Sequence, residues 1–164
     1  MNRPHYIIDG YNVIHAIPAW KRTLVQDAVS ARELLIHAAS RLTHERKIRC
    51  TIVFDGSPAP ADRKTHTHAP VHVVHAFPLS ADARIKEMIT QSKNRSLLVV
   101  ITSDREILNY ARACSCQTHT STHFANLLSS SEESTTEKSD SPLTKGQIDE
   151  WLRIFGESPR PSDD

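Results

Sequence analysis

Four aspartates occupy similar places in separate parts of the chain. Asp9, Asp55 and Asp104 each follow an apolar run rich in β-branched residues, and Asp82 opens a helical pattern just after another such run. Carboxylates that converge without basic partners repel one another, and a divalent cation relieves that repulsion. Ligands that are all oxygen atoms suit Mg²⁺ or Mn²⁺ better than zinc. The four aspartates therefore predict a magnesium or manganese site.

The chemistry that such a site favours is hydrolysis of a phosphodiester. A bound divalent metal orients and activates a water molecule and stabilises charge on the phosphate oxygens, commonly as a pair of ions about 4 Å apart. Each aspartate alone also has an ordinary structural interpretation. Asp55 with Gly56 is a common turn, Asp82 complements a helix dipole, and Asp104 is a candidate helix cap. The metal interpretation depends on all four meeting at one place.

Strands that alternate with helices would bring the aspartates together. Apolar runs predict strands over Tyr6–Asp9, Ile48–Asp55, Val71–Phe77 and Leu97–Asp104, with a short edge strand over Cys116–Ser121. This alternation predicts an α/β fold with a mostly parallel central sheet and helices on both faces. The carboxyl ends of parallel strands share one edge, and ligands bind there.

Apolar residues at helical spacing predict the helices between the strands. One apolar face steps by three and four residues and predicts a single long helix from Leu24 to Leu42. A shorter helix is expected from Ala81. Ser103-Asp104-Arg105-Glu106 fits a capping box, which would start another helix at Ser103. A further helix is expected around residues 123–128.

Composition limits the class of protein. The chain has 164 residues and a formal net charge of +1, so bulk charge favours neither nucleic acid nor membrane as a partner. No apolar run is long enough to span a bilayer, and the first residues lack the apolar core of a signal peptide, so we expect a cytoplasmic protein. Three cysteines argue against a disulfide scaffold, and the four glycines fit no glycine-rich phosphate-binding motif.

The composition also predicts how the chain is divided. We expect one domain over residues 1–128, a disordered linker over 129–141, and a C-terminal helix and tail over 142–164. The linker segment holds eight Ser or Thr, four acids and one Lys, and such a segment cannot form a core. An apolar stripe then predicts a helix over residues 145–155. That helix either docks back on the domain or binds a protein partner.

The order of these motifs resembles the YacP-like NYN domains of the PIN-like nuclease superfamily. The resemblance covers about residues 5 to 128 and is carried by IIDGYNVI, SARELLIHAASRL, IVFDG, SADARIKEMI and VVITSDREI. It implies a PIN-like three-layer α/β/α fold and a metal-dependent endoribonuclease that cleaves single-stranded RNA. The expected partner is RNA, and association with the ribosome is a further expectation. The ending LTKGQIDEWLRIFG also resembles the tail of some members.

The resemblance also implies roles for single residues. Asp9, Asp82 and Asp104 match the acidic metal-binding positions of the family. Asp55 matches the aspartate of the VFD element and is expected as an outer metal ligand. Asn12 matches the asparagine of DGYN and would orient a carboxylate, a metal-bound water or a phosphate, which adds it to the catalytic set.

Two substitutions separate this chain from the family pattern. Members commonly read A-D-E-x-I-E where this chain reads ADARIK, so Ala83 and Lys86 replace two acids. If either acid helps to hold the metal, metal binding here is weakened or lost. The alternative function is therefore an RNA- or ribosome-binding PIN-like protein with weakened or lost catalysis. In that protein Lys86 would hold a phosphate rather than a metal.

Local basic residues provide the expected contacts to RNA phosphates, which supply most non-specific affinity for nucleic acid. The candidates are Arg63, Lys64, Arg84, Lys86 and Arg105. The alternative is that they are ordinary solvated charges. Tyr11 and Trp20 are candidates for stacking on bases, with core packing as the alternative.

Two other kinds of site fit the sequence poorly. His66, His68, His72 and His75 follow no standard spacing of zinc ligands. A phosphohydrolase of the haloacid dehalogenase type also begins with an aspartate after its first strand. That chemistry needs a second aspartate two residues later, where this chain has Tyr11.

Overall fold

The computed structural model describes residues 2–60 and 70–136. Its strands are β1 (His5–Asp9), β2 (Arg49–Phe54), β3 (Val71–His75), β4 (Leu98–Ile101) and β5 (Gln117–His119). They form one sheet in the order β3-β2-β1-β4-β5, and every neighbouring pair is parallel. The predicted α/β fold with a mostly parallel sheet is confirmed.

Helices cover both faces of the sheet. They are α1 (Gly10–Ala16), α2 (Pro18–Gln26), α3 (Ala28–Arg46), α4 (Ala81–Gln91), α5 (Arg105–Ala113) and α6 (Ser121–Thr136). Side chains alternate between the two faces of a strand. Ile8 accordingly packs in a core with α1, α3 and α6, whereas Ile7 packs in a second core with α4 and α5. The three-layer α/β/α arrangement follows from these two cores.

The helix predicted from Leu24 to Leu42 is in fact two helices. Asp27 has an extended backbone, and its carboxylate accepts hydrogen bonds from the backbone N–H of Val29 and the hydroxyl of Ser30. The bond from Val29 satisfies one of the free backbone donors at the start of α3, and α2 ends at Gln26 where the new helix begins. The apolar spacing continues across the break, which is why periodicity alone did not detect it.

The end of α6 also differs from expectation. The expected linker began at residue 129, but α6 continues to Thr136. The hydroxyls of Ser129 and Ser130 donate to the carbonyls of Ala125 and Leu127, so these side chains bond within the helix. The described residues up to Glu132 belong to one compact unit. The predicted segments over 137–141 and 142–164, including the 145–155 helix, lie outside the described residues.

None of the helices within residues 2–60 and 70–136 is both long and apolar enough to cross a membrane.

Candidate acidic active site

The sheet brings the four aspartates to its carboxyl edge. Asp9 is the last residue of β1, and Asp55 directly follows β2. Asp104 lies in the short connection from β4 to α5, and Asp82 lies in the first turn of α4. The charges of Asp82 and Asp104 are close enough to Asp9 to raise its pKa, and the charge of Asp55 likewise raises the pKa of Asp82. We call this group of four the acidic edge.

Asp9 is the most buried member of the acidic edge, with only 8% of its surface exposed. Burial raises the pKa of its carboxyl group to about 6, and the nearby charges of Asp82 and Asp104 add to that increase. A hydrogen bond from the Thr102 hydroxyl to Asp9 Oδ2, at 3.1 Å, opposes the increase in pKa. A carboxyl group with a pKa near neutrality is a feature of functional sites.

Thr102 joins Asp9 to the connection that holds Asp104. Its hydroxyl donates to Asp9 and accepts a hydrogen bond of 3.1 Å from the backbone N–H of Asp104. The Thr102 side chain is fully buried, so this bridge is shielded from water. Thr102 was not predicted from the sequence, although its place directly after a buried strand and two residues before Asp104 was a signal.

Asp104 holds the start of α5. Its Oδ1 accepts from the backbone N–H groups of Glu106 and Ile107, at 2.9 and 3.3 Å. The prediction that Ser103 starts this helix is therefore wrong: Asp104 is the cap, and α5 begins at Arg105. A carboxylate satisfies two free backbone donors and interacts favourably with the helix dipole, so it displaces Ser103 from that position.

Asp55 and Asp82 are both tied to the start of α4. Asp55 Oδ1 accepts from the backbone N–H of Ala81 at 3.2 Å, while the Ser80 hydroxyl accepts from Ala83. The pKa of Asp82 is raised by partial burial and by the charge of Asp104, and the Lys86 ammonium opposes this. The structural interpretations considered for Asp55 and Asp82 are thus compatible with their place in the acidic edge.

Asn12 connects three segments at this edge. Its Oδ1 accepts from the backbone N–H of Ser103 at 2.8 Å and from the hydroxyl of Ser121 at 2.6 Å. Ser121, the first residue of α6, also donates its backbone N–H to the Ser103 hydroxyl at 3.2 Å. Asn12 therefore positions the connection that carries Asp104. No sequence motif marked Ser121.

Gly10 is required by close packing directly after Asp9. A Cβ atom at this position would lie 2.4 Å from the ring of Phe54 and 3.0 Å from Ile52. A side chain here would push α1 away from β2. The glycine of the DGYN motif thus allows Asp9 and Asn12 to lie at the same edge.

Comparison with known proteins identifies the family of this chain. The family model for the YacP-like NYN domain matches residues 6–153. This chain belongs to the YacP-like NYN domain family. The resemblance seen in the motifs is thereby confirmed, and the family is one of nuclease-like domains.

Solved structures share the fold of this YacP-like domain. A crystal structure of a point mutant of Rae1 (YacP) from Bacillus subtilis has a TM-score of 0.68 and 22% sequence identity, and the match covers 92% of each chain. A second Rae1 (YacP) structure from Bacillus subtilis has a TM-score of 0.67 and 19% identity, covering 94% of this chain and 83% of the other. At these identities the likeness shows the fold alone. Among curated proteins no match to this chain is found.

Lys86 places a cation beside the acidic edge of the YacP-like domain. Its ammonium pairs with the Glu106 carboxylate and lies 5.7 Å from the centre of the Tyr110 ring. The hydrogen bond to Glu106, followed by the charges of Glu106, Asp82 and Asp104, raises the pKa of Lys86. Lys86 therefore neutralises part of the negative charge at the position where the family commonly has an acid.

The other residues expected to contact RNA have different surroundings. Arg84 forms an ion pair of 2.5 Å with Glu87 on the same helix, and Arg105 is exposed in the first turn of α5. Arg63 and Lys64 lie outside the described residues.

The proposed stacking residues contribute to the core of the domain. The ring of Tyr11 lies 5.2 Å from that of Phe54, and its hydroxyl accepts from Arg32 at 3.0 Å. Trp20 packs, half-buried, against the core between the sheet and α3. These contacts favour the packing alternative for both residues.

The donor set of the acidic edge fits a hard divalent ion that retains water. Within residues 2–60 and 70–136, no three Asp, Glu, His or Cys side chains form a group arranged to hold a metal ion directly. One oxygen each of Asp9, Asp55 and Asp104 accepts a hydrogen bond from the protein. Mg²⁺ commonly binds through one or two carboxylates and keeps several waters, which such partly engaged carboxylates allow.

Proposed function

We propose that this YacP-like protein is a Mg²⁺- or Mn²⁺-dependent endoribonuclease acting on single-stranded RNA. The observation that carries the proposal is the meeting of Asp9, Asp82 and Asp104 at one sheet edge, where burial and, to a smaller extent, repulsion raise the pKa of Asp9 to about 6. A cation bound there would relieve this repulsion. Membership of a nuclease-like family supports the same reaction class.

In this proposal the chain's own residues hold and orient the reacting groups. Asp9, Asp82 and Asp104 would hold the metal, in part through water molecules that the ion keeps, with Asp55 as an outer ligand. When bound, the metal supplies activation of a water molecule and stabilisation of charge on the phosphate. Thr102 fixes the orientation of Asp9 through its hydrogen bond.

Two further groups of residues act around the carboxylates. Asn12 fixes the backbone of Ser103 and so the connection to Asp104. Arg84, Lys86 and Arg105, on α4 and α5, would contact phosphates on either side of the bond that is cleaved, because both helices begin at the acidic edge.

The second candidate is an RNA- or ribosome-binding protein with weakened or lost catalysis. The Lys86–Glu106 ion pair favours it, since an ammonium group already supplies positive charge that a metal would otherwise bring. Under this function Lys86 binds a phosphate, and the acidic edge takes up little metal. Both candidate functions are compatible with a cytoplasmic location, which stays a prediction. Association with the ribosome and a protein partner for the 145–155 helix also stay predictions.

A cleavage assay with matched variants separates the candidates. Purified protein would be incubated with end-labelled single-stranded RNA and Mn²⁺, beside Asp9→Asn and Asp27→Asn. Asp27 undergoes the same chemical change at the start of α3, where its carboxylate caps the helix. We expect cleavage by the wild type and Asp27→Asn, and none by Asp9→Asn. Equal cleavage by all three would refute the assignment, whereas RNA binding without cleavage or Mn²⁺ uptake would support the second candidate.

A further inference from the structure

A turn beside the acidic edge exposes two large apolar side chains. Among the residues that the structure describes, Phe77 is 68% exposed and Leu79 is 43% exposed. Both belong to the turn between β3 and α4. The other exposed large hydrophobic residues in the described chain are Val25 and Leu34, on helices α2 and α3. Phe77 is thus the exposed phenylalanine of the described residues.

Backbone hydrogen bonds before, at and after Phe77 hold the turn in place. The backbone N–H of Ala76 donates to the carbonyl of Phe54 at 2.8 Å, and that of Phe77 donates to Gly56 at 3.1 Å. Leu79 donates back to Ala76 at 2.8 Å, which closes the turn. A ring on a fixed backbone loses little conformational freedom when it binds a flat partner.

The position of the turn connects it with the acidic edge. β3 lies two strands away from β1, so its carboxyl end is about 10 Å from the end of β1 at the usual strand spacing. Gly56, which accepts the Phe77 N–H, directly follows Asp55, and the turn leads into the helix that carries Asp82. A few nucleotides of a single strand would cover this span.

The charges near the acidic edge favour an uncharged contact with RNA. The net charge is only +1, and the acidic edge itself repels phosphates when no cation is bound. Two of the three described basic candidates, Arg84 and Lys86, are already paired with Glu87 and Glu106. Stacking of bases on an aromatic side chain would add affinity for a single strand without any charge and with little dependence on sequence.

We propose that the ring of Phe77 is the stacking platform for an unpaired nucleobase of the RNA strand that enters the acidic edge. This inference rests on the proposed function and names how that site binds its substrate. Leu79 supports the base from the same turn. Tyr11 and Trp20, which the sequence offered for stacking, pack in the core instead.

The test measures RNA affinity in the Asp9→Asn background, which keeps the RNA intact. A fluorescent single-stranded RNA would be titrated with this parent, with added Phe77→Ala, and with added Val25→Ala as the control. Val25 is 85% exposed on α2, so its truncation also removes an exposed apolar side chain. We expect Phe77→Ala to weaken binding about ten- to hundred-fold and Val25→Ala to leave it unchanged.

Two further measurements identify stacking as the cause. Because stacking involves no phosphate, the slope of log affinity against log salt should be the same for the parent and Phe77→Ala. Phe77→Trp should retain affinity, and its added fluorescence should be quenched by RNA. Equal affinity of the Phe77→Ala and Val25→Ala proteins, or a changed salt slope, would overturn the inference and leave the proposed function standing. A parent protein that binds no RNA would overturn the proposed function itself.

Discussion

Replacing Asp9 with asparagine should stabilise the folded protein at neutral pH. The pKa of Asp9 is about 6 in the folded state, against 3.8 for an unperturbed aspartate. The folded state therefore binds a proton that the unfolded chain has already released between these two pH values. The free energy of unfolding falls as pH rises through that interval, and the loss is complete above about pH 6.

The size of the effect follows from the same two pKa values. Each pKa unit corresponds to about 1.4 kcal/mol, so ionised Asp9 costs the fold about 3 kcal/mol at pH 7. Asparagine has nearly the same shape and keeps an oxygen that can accept from Thr102, but it carries no charge. Allowing for imperfect hydrogen bonding of the amide, we expect a gain of about 1–3 kcal/mol at pH 7.5 and almost none at pH 4.

Urea unfolding in a chelator at pH 4 and pH 7.5 measures this difference, with Asp27→Asn as the control. Asp27 is an exposed cap whose hydrogen bonds lower its pKa, so its replacement should stabilise the protein at neither pH. Mn²⁺ should then stabilise the wild type more than Asp9→Asn, because a ligand of the folded state adds to its stability. An Asp9→Asn protein less stable than the wild type at pH 7.5 in chelator would refute the reasoning.

Three other substitutions give sharp expectations. Lys86→Met should raise the affinity for Mn²⁺, measured by calorimetry, several-fold, because it removes the competing ammonium group. Lys93→Met makes the same charge change beyond the far end of α4 and should leave the affinity unchanged. Equal affinities of the wild type and both variants would contradict the competition between Lys86 and the metal. Asp104→Ala should lower the free energy of unfolding by about 1 kcal/mol through loss of the α5 cap, and Asp104→Asn should retain most of that stability while also binding less Mn²⁺. Gly10→Ala should cost about 1–3 kcal/mol in thermal or urea unfolding, because its methyl group would overlap the Phe54 ring; an unchanged midpoint would show that α1 can shift freely.

The strands and their order along the chain could be predicted because buried parallel strands are continuous apolar runs. The runs ending at Asp9 and Asp55 are bounded within one or two residues of the observed strands. The sheet edge then follows from the rule that parallel strands place their carboxyl ends together. Acids at those ends were therefore visible from local sequence alone.

The missed features depend on contacts between distant or competing groups. Asp27 starts a new helix inside the expected long one, and Asp104 rather than Ser103 caps α5, because a carboxylate can accept two hydrogen bonds at a helix start. The Lys86–Glu106 pair and the Thr102–Asp9 bond join residues 20 and 93 positions apart, a separation at which periodicity carries no information. Likewise, the exposed side chain that borders the acidic edge could be identified only from the path of the turn after β3.

The hydrogen bonds of Asn12 affect the order in which contacts at the acidic edge form during synthesis. Its amide oxygen contacts partners 91 and 109 positions later in the chain, so these bonds close very long loops. All four carboxylates leave the ribosome before Ser121 does. A nascent chain can therefore carry every charged group of the site while the segment around Asp104 still lacks its hydrogen bond to Ser121. The hydrogen bonds that hold the connection to Asp104 are thus complete only when synthesis reaches α6.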